Sequence, residues 1–367
     1  MRILLIGEFS NVHATLAETI RRAGHEVLLV SDGDDWKGYR RDISIQRKYK
    51  GKLGTIHLLA QWALHLPKLK GFDIVHFINP KFTDMNPSVD KRIFRWLARH
   101  NSHVSVGLYG DDYIVLRQLN NGVLEYSELQ AYGKRINIEA QKRRIHAWTH
   151  DCKNLCQEIT GKAETLIACL YEYYYLYKSM QDKEIDSRLH YIGLPICQQY
   201  QGPKPIGDKV KVLFAIQTKR ISTKGYDMML PLLQRLAANH PDEIELIVTE
   251  NVPFHQYKTI LNSCDVLVDQ LYSYTPAMNA LEAMSRGIVV ISGGEEDYYR
   301  FIGEKKLRPI INLRPMQDED NYRILEETIL NRSRLYEMKQ ESIDFINKYH
   351  DADNIANEYL KLWKSLL

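Results

Sequence analysis

The segment KRISTKG puts Lys219, Arg220 and Lys224 directly after the apolar run KVLFAI. Cations held at such a position stabilise the charge that builds on a departing diphosphate, although lysine and arginine are also ordinary surface residues. Downstream, Thr275 and Pro276 precede a helical pattern through Ala277, Met278, Asn279 and Glu282. The start of such a helix offers unpaired backbone N–H groups and the positive end of a dipole, which suits a phosphate. Glu282 falls roughly two turns into the expected helix, where its carboxylate either accepts hydrogen bonds from both hydroxyls of a ribose or faces solvent. Tyr274 supplies a phenolic hydroxyl just ahead of Thr275. Near the N-terminus, Gly7 closes an apolar run where backbone can approach a ligand at little steric cost, and His13 and His76 stand near a helix start and a strand end.

Placing these groups together takes an alternation of strands and helices. RILLI at 2–6 and VLLVS at 27–31 read as strands, and Leu16, Ile20 and Ala23 recur at helical spacing between them before Gly24 stops the helix. Further strands are expected at 74–78, 104–109 and 166–170, with helices at 90–100 and 135–148. Strands apolar on both faces, joined by crossovers long enough for helices, predict parallel sheets. From Ile192 the texture changes to IGLPICQQYQGPKPIGD. A second series then follows: a strand at Val210–Ile216, a helix at Tyr226–Asn239, strands at Ile244–Thr249 and Val266–Val268, a helix at Asn279–Ser285, and a strand at Ile288–Ser292. The expected organisation is a first Rossmann-like domain over 1–195 and a linker over 196–209. A second Rossmann-like domain covers 210–345, and a helical tail over 346–367 packs on its own domain or reaches back to the first. Ligand loops at the C-terminal edges of two such sheets would face a central cleft.

The stretch SCDVLVDQLYSYTPAMNALEAMSRGIVVISGGEE, from Ser263 to Glu296, resembles the second domain of the retaining GT4-like glycosyltransferases (glycosyl transferases group 1) of the GT-B fold. Leu281, Glu282, Ala283, Met284, Gly287, Ile288, Val289 and Val290 match that pattern in order. The resemblance is strong across 210–296 and weaker through the first 115 residues. It implies that Lys219 and Lys224, with Arg220 beside them, contact the donor's phosphates, and that Glu282 binds the ribose. It also implies that Gly7 and His13 face the cleft, with Lys219, Lys224 and His13 as the catalytic group. Two departures stand out. Gly110 and Asp112 match a His-Gly-x-Asp pattern in which Tyr109 replaces the histidine, and Tyr274 occupies the place of the first of two glutamates spaced seven apart. The resemblance therefore implies that Tyr274 or Thr275 reads the sugar through a neutral group, unless Tyr274 packs in its loop and the backbone from Pro276 to Asn279 holds the sugar.

The implied activity is transfer of a sugar from a nucleotide diphosphate donor to a hydroxyl of a glycan or lipid-linked acceptor. Retention of configuration is implied too, with no metal and no tightly bound cofactor. A nucleotide-sugar epimerase of the same fold and a non-catalytic nucleotide-sugar-binding protein are the alternatives. Composition narrows the field further. A net charge of +3 over 367 residues favours no nucleic-acid partner, and GEFSNV lacks the glycine spacing of a dinucleotide fingerprint. Charge is nonetheless uneven. Between Trp36 and Lys70 stand nine basic residues (Lys37, Arg40, Arg41, Arg47, Lys48, Lys50, Lys52, Lys68, Lys70) against Asp42 alone. That segment meets an anionic membrane surface or a phosphate-bearing acceptor, or it is a solvated basic loop. The apolar run at the N-terminus ends at Glu8, too early for a signal peptide or a span. Five scattered cysteines fit a reducing compartment. A cytoplasmic protein is expected, associated at most with the inner face of a membrane. Asp111 and Asp112 either bind acceptor hydroxyls or cap a helix, and the run LYEYYYLYK at 170–178 suits core packing, sugar stacking or lipid contact.

Overall fold

A computed structural model describes residues 1–129, 138–197 and 202–367. It divides into two compact units: Met1–Val123 with Lys142–Pro195 and Ala352–Leu367, and Leu124–Gln141 with Ile196–Asp351. Residues 135–137 of the expected helix and 198–201 of the expected linker lie outside the described residues.

Among the described residues the first unit holds seven strands: β1 (Arg2–Ile6), β2 (Glu26–Ser31), β3 (Ile43–Ser44), β4 (Ile74–Phe77), β5 (His103–Leu108), β6 (Thr165–Ala168) and β7 (Leu189–Tyr191). They pair in the order β3-β2-β1-β4-β5-β6-β7, all parallel. Burial on both faces explains the continuous apolar runs: Ile3, Leu4, Leu5 and Ile6 are each at most 1% exposed. Helices Val12–Arg22, Gly51–His65, Pro87–His100 and Lys153–Lys162 lie between strands in the chain. Ile138–His146 is helical and continues through a π-helical turn, Ala147–Asp151. The tyrosine run forms the helix Tyr171–Lys178, in which Tyr177 is fully buried. The C-terminal helix Ala352–Lys364 completes this unit. Its Trp363 is fully buried, donates from Nε1 to Ser105 Oγ at 3.0 Å, and packs its ring 5.4 Å from that of His76.

The second unit holds β8 (Val210–Ile216), β9 (Ile244–Glu250), β10 (Val266–Val268), β11 (Val289–Ile291) and β12 (Ile310–Ile311). Their order is β12-β11-β10-β8-β9, again parallel. Val212, Phe214, Val266, Val268, Val289 and Ile291 meet Leu233, Leu236, Leu325 and Leu335 in one apolar core. Beside it a buried ion pair joins Lys339 Nζ to Asp265 Oδ1 at 2.6 Å. Lys339 also donates to the Lys204 carbonyl at 2.9 Å, so the buried ammonium is solvated by protein oxygens. Among the described residues no helix is long and apolar enough to cross a membrane.

Candidate functional site

In the second unit β8 runs into a turn, Thr218–Arg220, and a short helix, Ile221–Lys224. Lys219 and Arg220 are exposed there. Lys224 is buried and donates from Nζ to Asp269 Oδ1 at 2.8 Å. Asp269 directly follows β10 and has no exposure. The same oxygen accepts from Asn279 Nδ2 at 3.0 Å, and Oδ2 lies 3.5 Å from the Ser292 hydroxyl that donates to it. Tyr257 donates to Asn279 Oδ1 at 2.6 Å, which fixes the amide's orientation. One buried carboxylate therefore ties together chain segments following β8, β10 and β11 and the start of the helix Met278–Met284, balanced by the Lys224 charge. Asp269 and Tyr257 were not singled out from the sequence: Asp269 is visible at the end of VLVD, but its partners lie on other segments.

The helix Met278–Met284 begins after Ala277, with no side-chain cap on its N-terminus. Glu282 is its fifth residue, little more than one turn in, rather than the two turns expected. Its carboxylate is half-buried and makes no hydrogen bond among the described residues. Thr275 and Pro276 are buried just before the helix.

Tyr274 stacks on Tyr126, ring centroids 4.7 Å apart and 20° from parallel. The Tyr126 backbone N–H donates to the Tyr274 hydroxyl at 3.2 Å, and the Tyr126 hydroxyl donates to Glu295 Oε1 at 2.8 Å. Burial alone would raise the Glu295 carboxyl, but hydrogen bonds from Arg314, Asn312 and Tyr126 outweigh it and hold the pKa below the usual range. Arg314 grips both oxygens, at 3.1 and 2.7 Å. The two loops touch so closely that a Cβ on Gly293 would stand 2.4 Å from the Ser273 carbonyl oxygen. Tyr274 thus packs within a loop clamp, and Tyr126 and Glu295 escaped sequence reasoning because 148 and more residues separate the partners.

In the first unit Gly7 follows β1 with φ +88°, and a Cβ there would lie 2.4 Å from Ile78 Cγ2, so only glycine fits. Glu8 is buried and accepts from the backbone N–H groups of His13 at 3.2 Å and Ala14 at 2.7 Å. Burial raises its carboxyl to about 8 despite those bonds. His13 is fully buried, and burial lowers it to about 3. Its Nδ1–H donates to the Gly7 carbonyl at 2.8 Å, leaving Nε2 a bare acceptor with no partner among the described residues. His76 packs 5.1 Å away. The Ser105 hydroxyl, already receiving Thr165 and Trp363, has its own proton for His76 Nδ1 at 2.9 Å. Tyr109 bonds Tyr359 and lies 3.4 Å from His76 Nε2. Asp111 is held by Arg144, while Asp112 caps the helix Tyr113–Asn120 and accepts from Tyr177 at 2.6 Å.

The same sheet edge opens into a cavity of about 550 Å³ lined by Asp32, Arg47, Leu58, Trp62, Phe82 and Asp84, among others. The Trp62 indole N–H is buried with no acceptor among the described residues. Elsewhere in this unit, exposed His146, His150 and Asp151 on the π-helical turn bring one ligand atom each within 4.8 Å of the others, and the widened turn is what carries residues five apart onto one side.

No family model matches the chain, and no characterised sequence relative matches it. Solved structures do. It is similar to Alr3699/HepE of Anabaena, determined with UDP and glucose, at TM-score 0.60 and 11% identity over 100% of both chains. Sucrose-phosphate synthase from Thermosynechococcus elongatus gives TM-score 0.60 and 13% identity, covering 100% of this chain and 99% of that one. WaaG, a glycosyltransferase involved in lipopolysaccharide biosynthesis, gives 0.57 and 13% over 99% of each. Likeness at these identities establishes the fold: the chain is an α/β protein of the GT-B type, built from two Rossmann-like units.

Proposed function

We propose that the protein transfers a sugar from a nucleotide diphosphate donor to a hydroxyl of a glycan or lipid-linked acceptor, with retention and without a metal. The carrying observation is the convergence of Lys224, Asp269 and Asn279 at the C-terminal edge of the second unit's sheet, beside an uncapped helix start and the exposed cations Lys219 and Arg220. That edge is where α/β sheets bind nucleotides. HepE's UDP-bound structure supports UDP as the nucleotide.

In this mechanism Lys219, Arg220 and Lys224 stabilise the diphosphate charge as the glycosidic bond breaks, and a diphosphate oxygen takes the acceptor proton. Backbone N–H groups of Ala277, Met278 and Asn279 hold the phosphates, Glu282 accepts from the ribose hydroxyls, and Tyr274 or Thr275 orients the sugar. The second unit is the nucleotide-sugar side. The first unit is the acceptor side, where Gly7 permits close approach and bare Nε2 of His13 accepts a hydrogen bond from an acceptor hydroxyl. The 550 Å³ cavity supports that assignment, because carboxylates and an unpaired indole N–H are complementary to sugar hydroxyls.

A thermal-shift screen of nucleotides and nucleotide sugars tests the donor half; a ligand at 100 times its Kd adds about 2.7 kcal/mol. UDP or a UDP-sugar should raise the melting temperature, and failure of every nucleotide would sink the proposal. Product analysis with and without acceptor tests the rest: turnover of donor to its 2-epimer with no transfer would replace transferase by epimerase.

A further inference from the structure

The helix Gly51–His65 is apolar on two opposite faces. At about 100° per residue, Gly54, Leu58 and Trp62 share the buried face. Leu53, Ile56 and Leu64 stand opposite, 71, 62 and 70% exposed, Leu59 lies on the flank at 43%, and Tyr49 just ahead is 56% exposed. Other exposed large apolar side chains, such as Val248, Phe301 and Tyr336, are separated along the chain and are ordinary. A second apolar stripe on a helix whose inner face is already buried calls for an apolar phase to cover it, and among the described residues nothing covers this outer face.

Its charge surroundings select the phase. From Ile43 through Gly71 the sequence contains no Asp or Glu. Lys48, Lys50 and Lys52 are exposed at one end of the apolar row, and Lys68 and Lys70 are exposed just past the other. Arg47 is committed to Asp84. A protein partner would need acidic groups placed at both ends, whereas lipid phosphates supply negative charge all along a surface. Lysine stems can lie over the acyl boundary with their ammonium groups among the phosphates.

We propose that the helix Gly51–His65 docks the protein on an anionic lipid bilayer, with Leu53, Ile56, Leu59 and Leu64 in the interface and Lys48, Lys50 and Lys52 on lipid phosphates. The helix's inner residues Leu58 and Trp62 line the 550 Å³ cavity. Docking therefore brings that cavity within about one helix diameter, roughly 10 Å, of the headgroups. An acceptor carried on a lipid anchor would be met there; that step rests on the transfer proposal, while docking itself does not.

Co-sedimentation of the full chain with vesicles, in the absence of nucleotide, measures this. Partition onto phosphatidylcholine with about 30% phosphatidylglycerol should exceed partition onto phosphatidylcholine alone by at least tenfold, and it should fall as salt rises. The variant L53S/I56S/L59S/L64S, altered only at exposed positions, should lose at least about tenfold of that partition. K48Q/K50Q/K52Q should lose the preference for phosphatidylglycerol and keep UDP binding. Equal partition onto the two vesicles, or a serine variant that partitions like the wild type, overturns the proposal. A stable dimer without lipid that the serine variant converts to monomer also overturns it and assigns the face to a second copy. Loss of UDP binding in the unmodified protein leaves docking intact and sinks the transferase instead.

Discussion

The two units end their first strands in opposite ways. After β1, the start of the helix Val12–Arg22 is filled by the protein's own Glu8 carboxyl, sealed under 2% exposure. After β8, the chain presents exposed Lys219 and Arg220 and the short helix Ile221–Lys224 with no side-chain cap, and further on the helix start at Met278, after β10, has none either. A helix start attracts anions in either case. Where the protein supplies the carboxyl internally the position is closed to phosphate, and where it supplies none the position stays open to one. Fold similarity alone would have treated the two edges as equivalent.

The largest expected effect breaks the open edge. Lys224→Met leaves Asp269 buried without its cation and should lower stability by about 3–5 kcal/mol in urea unfolding. Adding Asp269→Leu should restore most of that loss without restoring UDP affinity. If the double variant binds UDP normally, the pair is architectural and the open edge is not a phosphate site.

The closed edge answers to pH. The native state keeps the Glu8 proton up to about 8, whereas the unfolded chain releases it near 4.5. Unfolding therefore releases a proton between those values, and this contribution to stability falls as pH rises through the window, by on the order of 5 kcal/mol. Glu8→Gln should flatten that fall. His13 has the opposite sign: the unfolded chain takes a proton near 6.5, the native state only near 3, so stability is lost as pH falls between them. Stability measured across pH 4–9 in the wild type and in Glu8→Gln separates the two slopes.

Within the open edge, Tyr274→Phe should cost about 0.5–1.5 kcal/mol in nucleotide-sugar affinity and spare free UDP, whereas Glu282→Gln should weaken both. Unchanged sugar-donor binding in Tyr274→Phe would leave Tyr274 as a packing residue stacked on Tyr126. The smallest stability effect belongs to K219A/R220A, within about 0.5 kcal/mol because both side chains are exposed, yet UDP binding should weaken and lose part of its salt dependence. Calorimetric titration at two salt concentrations checks it.

Much of the frame was legible because fully buried strands leave continuous apolar runs: Val210–Ile216 and Val266–Val268 form as expected. The two-residue β3 and three-residue β7 were not among the expected strands, being too short to show a pattern. Gly51–His65 was not among the expected helices, since apolar residues on opposite faces cancel the helical period. In the site, Lys224 and Asn279 were readable by type and spacing, but the carboxylate joining them was not. Tyr126 stacking on Tyr274 had no local signal at all, because its cause is tertiary.

The C-terminal helix has a consequence for synthesis. Tyr359 and Trp363 fill the same pocket of rings as His76 and Tyr109, so the first unit lacks part of its interior until residues 352–364 leave the ribosome. Everything assigned to the second unit has been translated by Asp351. On the nascent chain, therefore, the unit that begins first is the one finished last, and until then its aromatic interior is incomplete.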